Sequence, residues 1–191
     1  MITPNVNIES FSSNLYLIGY RGCGKSTVAK ILSEMLGWSV VDADEEIETL
    51  AGTSISQIFE SEREAGFRRR ESLVIESLAK RRQTVIALGG GAVLAECNRE
   101  RIAESGKAVW LKISAETSWE RISGDEKSVS QRPNLTQTGG IEEIEQMLAI
   151  RTPIYQSCAD LVVEADSRTP SEIAAVIFDY IASQMRSSDG E

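Results

Sequence analysis

One octapeptide limits what this chain can fold into more than anything else in it: Gly19-Tyr20-Arg21-Gly22-Cys23-Gly24-Lys25-Ser26. It matches G-x-x-x-x-G-K-[ST] in full, and it lies between an apolar run, Leu15 to Ile18, and a helix-patterned segment, Ser26 to Leu36. Glycines let the backbone wrap with its N–H groups pointing inward at phosphate oxygens. The helix that starts there adds the partial positive charge of its N-terminus. Lys25 is long enough to reach the β- and γ-phosphates, and the Ser26 hydroxyl suits Mg²⁺. Gly22, Cys23, Gly24 and Thr27 are expected to bind the triphosphate with them. The dinucleotide fingerprint G-x-G-x-x-G fails, because Thr27 stands where its third glycine belongs. The motif therefore specifies a nucleoside triphosphate, but not what becomes of it.

A phosphate loop of this kind needs a parallel sheet behind it, and the rest of the chain supplies one. Short apolar runs recur at Ser39 to Val41, Thr84 to Leu88, Ala108 to Ile113 and Asp160 to Val163. Each is rich in Val, Ile and Leu, as strands buried on both faces should be. Helical patterns separate them: Ser54 to Phe59, Arg63 to Lys80, Ala95 to Glu104, Thr117 to Ile122, Ile141 to Gln156 and Ser171 to Met185. The alternation predicts a three-layer α/β/α P-loop fold with a central five-stranded parallel sheet. With 191 residues and no repeat or linker, one domain spanning 1–191 is expected, its core at 13–185. Gly124 to Gly140 is polar, holds glycines and a proline, and lacks periodicity. A stretch this long inside a compact domain is functional or disordered.

Charge and absences narrow the chemistry. The net charge of −9 argues against a nucleic-acid or membrane-surface partner, since both are polyanions. An anionic substrate would then need arginines gathered in one place. There is no histidine, which excludes Ser-His-Asp and Cys-His catalysis and imidazole metal sites. Cys23, Cys97 and Cys158 form no Cys-x-x-Cys pair, so neither zinc nor a disulfide framework is indicated. The first residues lack a signal-peptide pattern and no apolar segment approaches a membrane span, so a cytoplasmic protein is expected.

Three further clusters carry candidate chemistry. Val40-Val41-Asp42-Ala43-Asp44 puts two carboxylates just past a strand, on the edge where open parallel sheets bind ligands. A hydroxyl nucleophile needs such a carboxylate to orient it and take its proton, and Mg²⁺ needs oxygen ligands. Two alternatives stand beside this: the acidic first turn of a helix from Asp42 to Glu48, and the Walker B aspartate of an ATPase. Gly89 to Gly91 end the strand Val85 to Leu88, either to let a ligand approach the backbone or simply to turn the chain sharply. Phe67-Arg68-Arg69-Arg70-Glu71 offers guanidiniums, of which Arg69 and Arg70 read as a solvated face.

Taken in order, GYRGCGKST, Asp42-x-Asp44, Phe67-Arg68-x-x-Glu71, Gly89-Gly90-Gly91-Ala92, Arg132-Pro133 and Arg151-x-Pro153-x-Tyr155 resemble the motif set of the shikimate kinases, from about Leu15 to about Tyr180. The resemblance implies a fold like that of the nucleoside-monophosphate kinases, and a monomer acting on ATP and shikimate with Mg²⁺. In that reading Asp44 holds substrate hydroxyls and acts as base, and Asp42 sits near Mg²⁺ together with Ser26. Arg68, braced by Glu71, and Arg151 pair with the shikimate carboxylate, for which planar guanidiniums suit, while Gly90 and Gly91 contact the same substrate. The stretch 124–140 becomes a mobile lid that excludes water, and Arg132 in it neutralises the transferring phosphoryl group. Arg121 is expected to stack on adenine. Other readings of the sequence are a gluconate-type kinase, a nucleoside-monophosphate kinase, a motion-driving ATPase, and a binding module without catalysis.

Overall fold

The computed structural model of the protein describes residues 13–124 and 140–188, with side chains through residue 184. Arg132 and positions 125–139, the body of the expected lid, lie outside the described residues. Five strands, β1 (Asn14–Ile18), β2 (Ser39–Asp42), β3 (Thr84–Ala87), β4 (Gly106–Lys112) and β5 (Leu161–Glu164), form one parallel sheet in the order β2-β3-β1-β4-β5. Seven α-helices among the described residues cover it: α1 (Lys25–Leu36), α2 (Ala43–Ala51), α3 (Ile55–Leu78), α4 (Glu96–Ser105), α5 (Ala115–Ser123), α6 (Gly140–Cys158) and α7 (Pro170–Ser188). A short 3-10 turn, Ala92–Leu94, follows β3. This is the three-layer α/β/α arrangement expected of a P-loop kinase.

The period-2 alternation of the strands divides the core in two. Leu15 and Leu17 of β1, Val85 and Ala87 of β3, and Val109 and Leu111 of β4 face one side, where they meet Val28 and Leu32 of α1 and Ile173 and Ile177 of α7. Tyr16, Ile18, Ile86, Ala108 and Trp110 face the other, against Ile47 of α2, Val74 and Ile75 of α3, and Ile102 of α4. β2 departs from the buried pattern: Ser39 and Val40 are exposed, because β2 is an edge strand paired only with β3. At the start of the central strand Asn14 is fully buried, and its amide donates to the Leu78 and Arg81 carbonyls while its carbonyl accepts from the Thr84 backbone. That makes a buried polar side chain affordable, because each of its groups is bonded.

Two local features shape the acceptor end. Asp42 caps α2: its Oδ1 accepts from the Asp44 backbone N–H at 3.0 Å, a contact worth about 1 kcal/mol. The acidic-helix alternative for Asp42 to Glu48 is thus realised in the backbone, and it leaves both aspartates at the sheet edge. The helical patterns at Ser54 to Phe59 and Arg63 to Lys80 fuse into α3 with a break at Arg63 (φ 60°, ψ −174°). That region of conformational space is nearly reserved for glycine and costs about 1–3 kcal/mol. The break redirects the helix just before Phe67, which stacks on Phe59 with ring centres 4.9 Å apart. None of the described helices is long and apolar enough to cross a membrane.

Candidate active site

Strand register brings the motif loops to one edge. Leu17 of β1 and Asp42 of β2 both lie level with Ala87 of β3. The phosphate loop, the Asp42–Asp44 segment and the glycine triplet therefore leave the sheet side by side at its carboxyl end, where the chain order switches direction about β1.

The phosphate loop enters α1 through Gly24, which caps the helix at φ 90°, a left-handed setting that favours glycine. Lys25 Nζ donates to the carbonyls of Gly19 (2.9 Å) and Tyr20 (3.0 Å), so its charge lies across the mouth of the loop. The Cys23 side chain is buried in the core, and its sulfur accepts a longer contact from Lys25 Nζ at 3.5 Å. Helix α5 braces the loop from outside. Ser118 Oγ donates to the Arg21 carbonyl at 3.0 Å, and Arg121 donates to the Gly22 carbonyl at 3.2 Å and to Ala165 O at 3.0 Å. Arg121 is exposed.

Ser26 Oγ donates to Asp42 Oδ2 at 2.5 Å, which joins the loop to the end of β2. A hydroxyl and a carboxylate oxygen side by side form a hard, all-oxygen donor pair that fits Mg²⁺. No group of three or more His, Cys, Asp or Glu side chains that could hold a metal occurs among the described residues. The ion that suits this place is one that fills its shell with water and phosphate oxygens.

The two arginines expected at the acceptor come to the glycine triplet from different helices. Arg68 of α3 lies against Gly91: a Cβ on Gly91 would fall 2.5 Å from both of its terminal nitrogens. Its Nη1 donates to Glu71 Oε2 at 2.7 Å, and Glu64 pairs with it at 3.2 Å. Burial disfavours the charge of Arg68, but these two carboxylates outweigh it and hold the guanidinium above its ordinary pKa. Arg151 of α6 is buried, and its Nη1 donates to the Gly90 carbonyl at 3.3 Å. The same carbonyl accepts from the Tyr155 hydroxyl at 2.5 Å. A Cβ on Gly90 would stand 3.7 Å from Arg151 Nη1 and 3.4 Å from the Gly19 carbonyl, so this point also abuts the phosphate loop. Arg69 is exposed and Arg70 pairs with Glu62 at 2.7 Å, away from this cluster. Asp44 sits half-buried in the first turn of α2.

Several members of this edge carried no role in the sequence reading. Tyr20 is buried between two guanidiniums, with Arg151 5.5 Å and Arg21 5.9 Å from its ring centre. Burial raises its hydroxyl pKa, while the neighbouring Arg21 and Arg151 oppose the rise. Glu143 of α6 is buried, 3.7 Å from Arg21 Nη2. Ser118 and Glu143 belong to no local pattern, and Tyr155 could have been found only from its place in Arg-x-Pro-x-Tyr.

Known proteins resemble this chain along most of its length. Residues 21–182 match the family model described as shikimate kinase. The shikimate kinase of Rhodopirellula baltica is 42% identical over 183 residues, covering 96% of this chain and 98% of that protein. Among solved structures, the shikimate kinase from Acinetobacter baumannii in complex with shikimate superposes with a TM-score of 0.85 at 36% identity, covering 93% of this chain and 96% of that one. A gluconokinase from Sinorhizobium meliloti superposes at 0.57 with 16% identity over 93% of this chain and 95% of its own, a likeness of fold alone. With a family model spanning most of its length and a relative 42% identical along 96% of it, the chain belongs to the shikimate kinase family.

Proposed function

We propose that this protein phosphorylates the 3-hydroxyl of shikimate with ATP, giving shikimate 3-phosphate and ADP, a step of aromatic amino-acid biosynthesis. The observation that carries the reading is the convergence of Arg68 and Arg151, from two helices, on Gly90 and Gly91 beside a complete phosphate loop. In an otherwise acidic protein, that is a place built for a carboxylate next to a triphosphate. The gluconokinase alternative rests on fold likeness only, whereas the family match favours shikimate.

In this reading the acceptor oxygen attacks the γ-phosphorus, the bond from that phosphorus to the bridging oxygen of ADP breaks, and the acceptor proton passes to Asp44. The loop amides of Gly22 to Thr27 and Lys25 hold the phosphates and spread the developing charge. Ser26 and Asp42 would hold Mg²⁺, which would supply charge neutralisation for the phosphates. Arg68 and Arg151 grip the carboxylate, and Gly90 and Gly91 let it come close. Arg132 takes the role of neutralising the transferring group, and Arg121 that of stacking on adenine. Both assignments rest on the resemblance of their motifs. The same reading takes the protein as a cytoplasmic, one-domain monomer acting on small molecules.

ADP release from ATP and Mg²⁺ should depend on shikimate, and gluconate, a nucleoside monophosphate or no acceptor should leave it near background. Release that ignores the acceptor would instead mark an ATPase.

A further inference from the structure

We propose that Glu143 is a positioning residue for the transfer. From the first turn of α6 it holds Arg21 of the phosphate loop, and so keeps the donor loop in register with the helix that carries Arg151. The inference rests on the phosphoryl-transfer reading of the same site.

Glu143 is 1% exposed. Carboxylates are almost never buried to that extent unless paired, and an apolar residue there would serve stability at least as well. Ile144 beside it does pack into the core. An acid in a helical first turn is also favoured by the helix dipole, but Glu142 already stands in that turn, in solvent. The dipole therefore does not require Glu143 to be buried. In its buried position it pairs with Arg21, whose side chain is 22% exposed.

The pair is one of two ties on the same helix. About 12 Å further along, by the rise of 1.5 Å per residue, Arg151 donates to the Gly90 carbonyl, and Tyr155 donates to the same atom. Gly90 in turn abuts the Gly19 carbonyl and the Arg21 backbone nitrogen. Helix α6 is thus fastened to the donor loop through Glu143 and to the acceptor loop through Arg151 and Tyr155. Arg21 is the sensitive partner. Its guanidinium cannot lose its charge, and it sits on the loop that wraps the triphosphate. Held by Glu143, it stays turned toward α6. Released, it is free to pair with phosphate oxygens and pull donor and acceptor out of line, a misplacement to which in-line transfer is sensitive.

The test is steady-state kinetics of Glu143→Gln, Arg21→Gln and the double variant, per folded molecule as judged by circular dichroism and thermal melting, with wild-type shikimate-dependent ADP release as the baseline. Absence of that baseline release would overturn the transfer reading itself, apart from this inference. With the baseline present, Glu143→Gln should lower kcat about tenfold while the KM for ATP does not rise, because a freed Arg21 adds to ground-state phosphate binding. A merely structural residue would lower the melting temperature and leave kcat per folded molecule alone. The double variant should be no worse than Glu143→Gln, since either single variant already breaks the one tie between Arg21 and Glu143. Should Glu143→Gln fail to fold, Arg21→Gln breaks the same pair at its more exposed end and should itself lose about tenfold in kcat. A kcat within twofold of wild type in the folded single variants, or losses that multiply in the double, would overturn the proposal.

Discussion

The donor and acceptor sides of the cleft are built on different principles. The donor side is local: Gly19 to Ser26 close on themselves, with Lys25 bonded to the carbonyls of Gly19 and Tyr20 a few positions away. The acceptor side is assembled from afar. The Gly90 carbonyl receives Arg151 from 61 residues and Tyr155 from 65 residues along the chain, while Arg68 arrives on another helix. A local loop keeps its shape when a distant contact is lost. A site assembled from two helices and a glycine turn depends on all three at once. Substitutions should therefore separate cleanly into those that change how the phosphoryl group moves and those that change how the acceptor is held.

The largest effect is expected at Asp44, the proposed base. Asp44→Asn should lower kcat by roughly 10²–10⁴-fold, the range for a positioned general base, with ATP affinity within about threefold of wild type by equilibrium titration. Comparable kcat values for the two proteins would remove Asp44 from that role. On the acceptor side alone, Arg68→Ala removes charge-assisted hydrogen bonds of about 1.5–3 kcal/mol each, so the shikimate KM should rise by one to two orders of magnitude while the ATP KM holds. A parallel rise in both constants would blur the division between the two sides.

Gly91→Ala sharpens the comparison without touching a charge. Its Cβ would need the space that the Arg68 terminal nitrogens fill. That end of the side chain can shift, so the protein should fold and show a shikimate KM raised about tenfold. In Arg68→Ala the same substitution should do little more, because the atoms it collides with are gone.

The smallest effect expected is one of stability. Arg63→Gly, which would ordinarily weaken a helix, should leave the melting temperature unchanged or raise it, by up to about 1 kcal/mol of stability, because Arg63 already occupies a glycine conformation.

What could be read from the sequence follows the same division. The phosphate loop was legible because its glycines, lysine and serine are contiguous and their spacing is their geometry. The five strands were legible as short apolar runs, and the break in α3 as the gap between Phe59 and Arg63. Helix α2 was not: Asp42 to Glu48 is so acidic that a helical turn and a pair of working carboxylates look alike, and Asp42 turns out to cap the helix and bond Ser26 together. On the acceptor side, residues alone left Gly89 to Gly91 open between a ligand contact and a turn. Only the resemblance joined them to Arg68 and Arg151. Glu142 and Glu143 are indistinguishable in sequence, and packing alone decides that one meets water and the other Arg21.

The claim that two guanidiniums read an acceptor carboxylate beside the phosphate loop is tested most directly by comparing kcat/KM for shikimate with that for its methyl ester, in wild type and in Arg68→Ala. The account predicts that wild type prefers the acid by about a hundredfold or more, and that the preference collapses toward unity when Arg68 is gone. An undiminished preference in the variant would contradict it, and would place recognition of the carboxylate elsewhere in the protein.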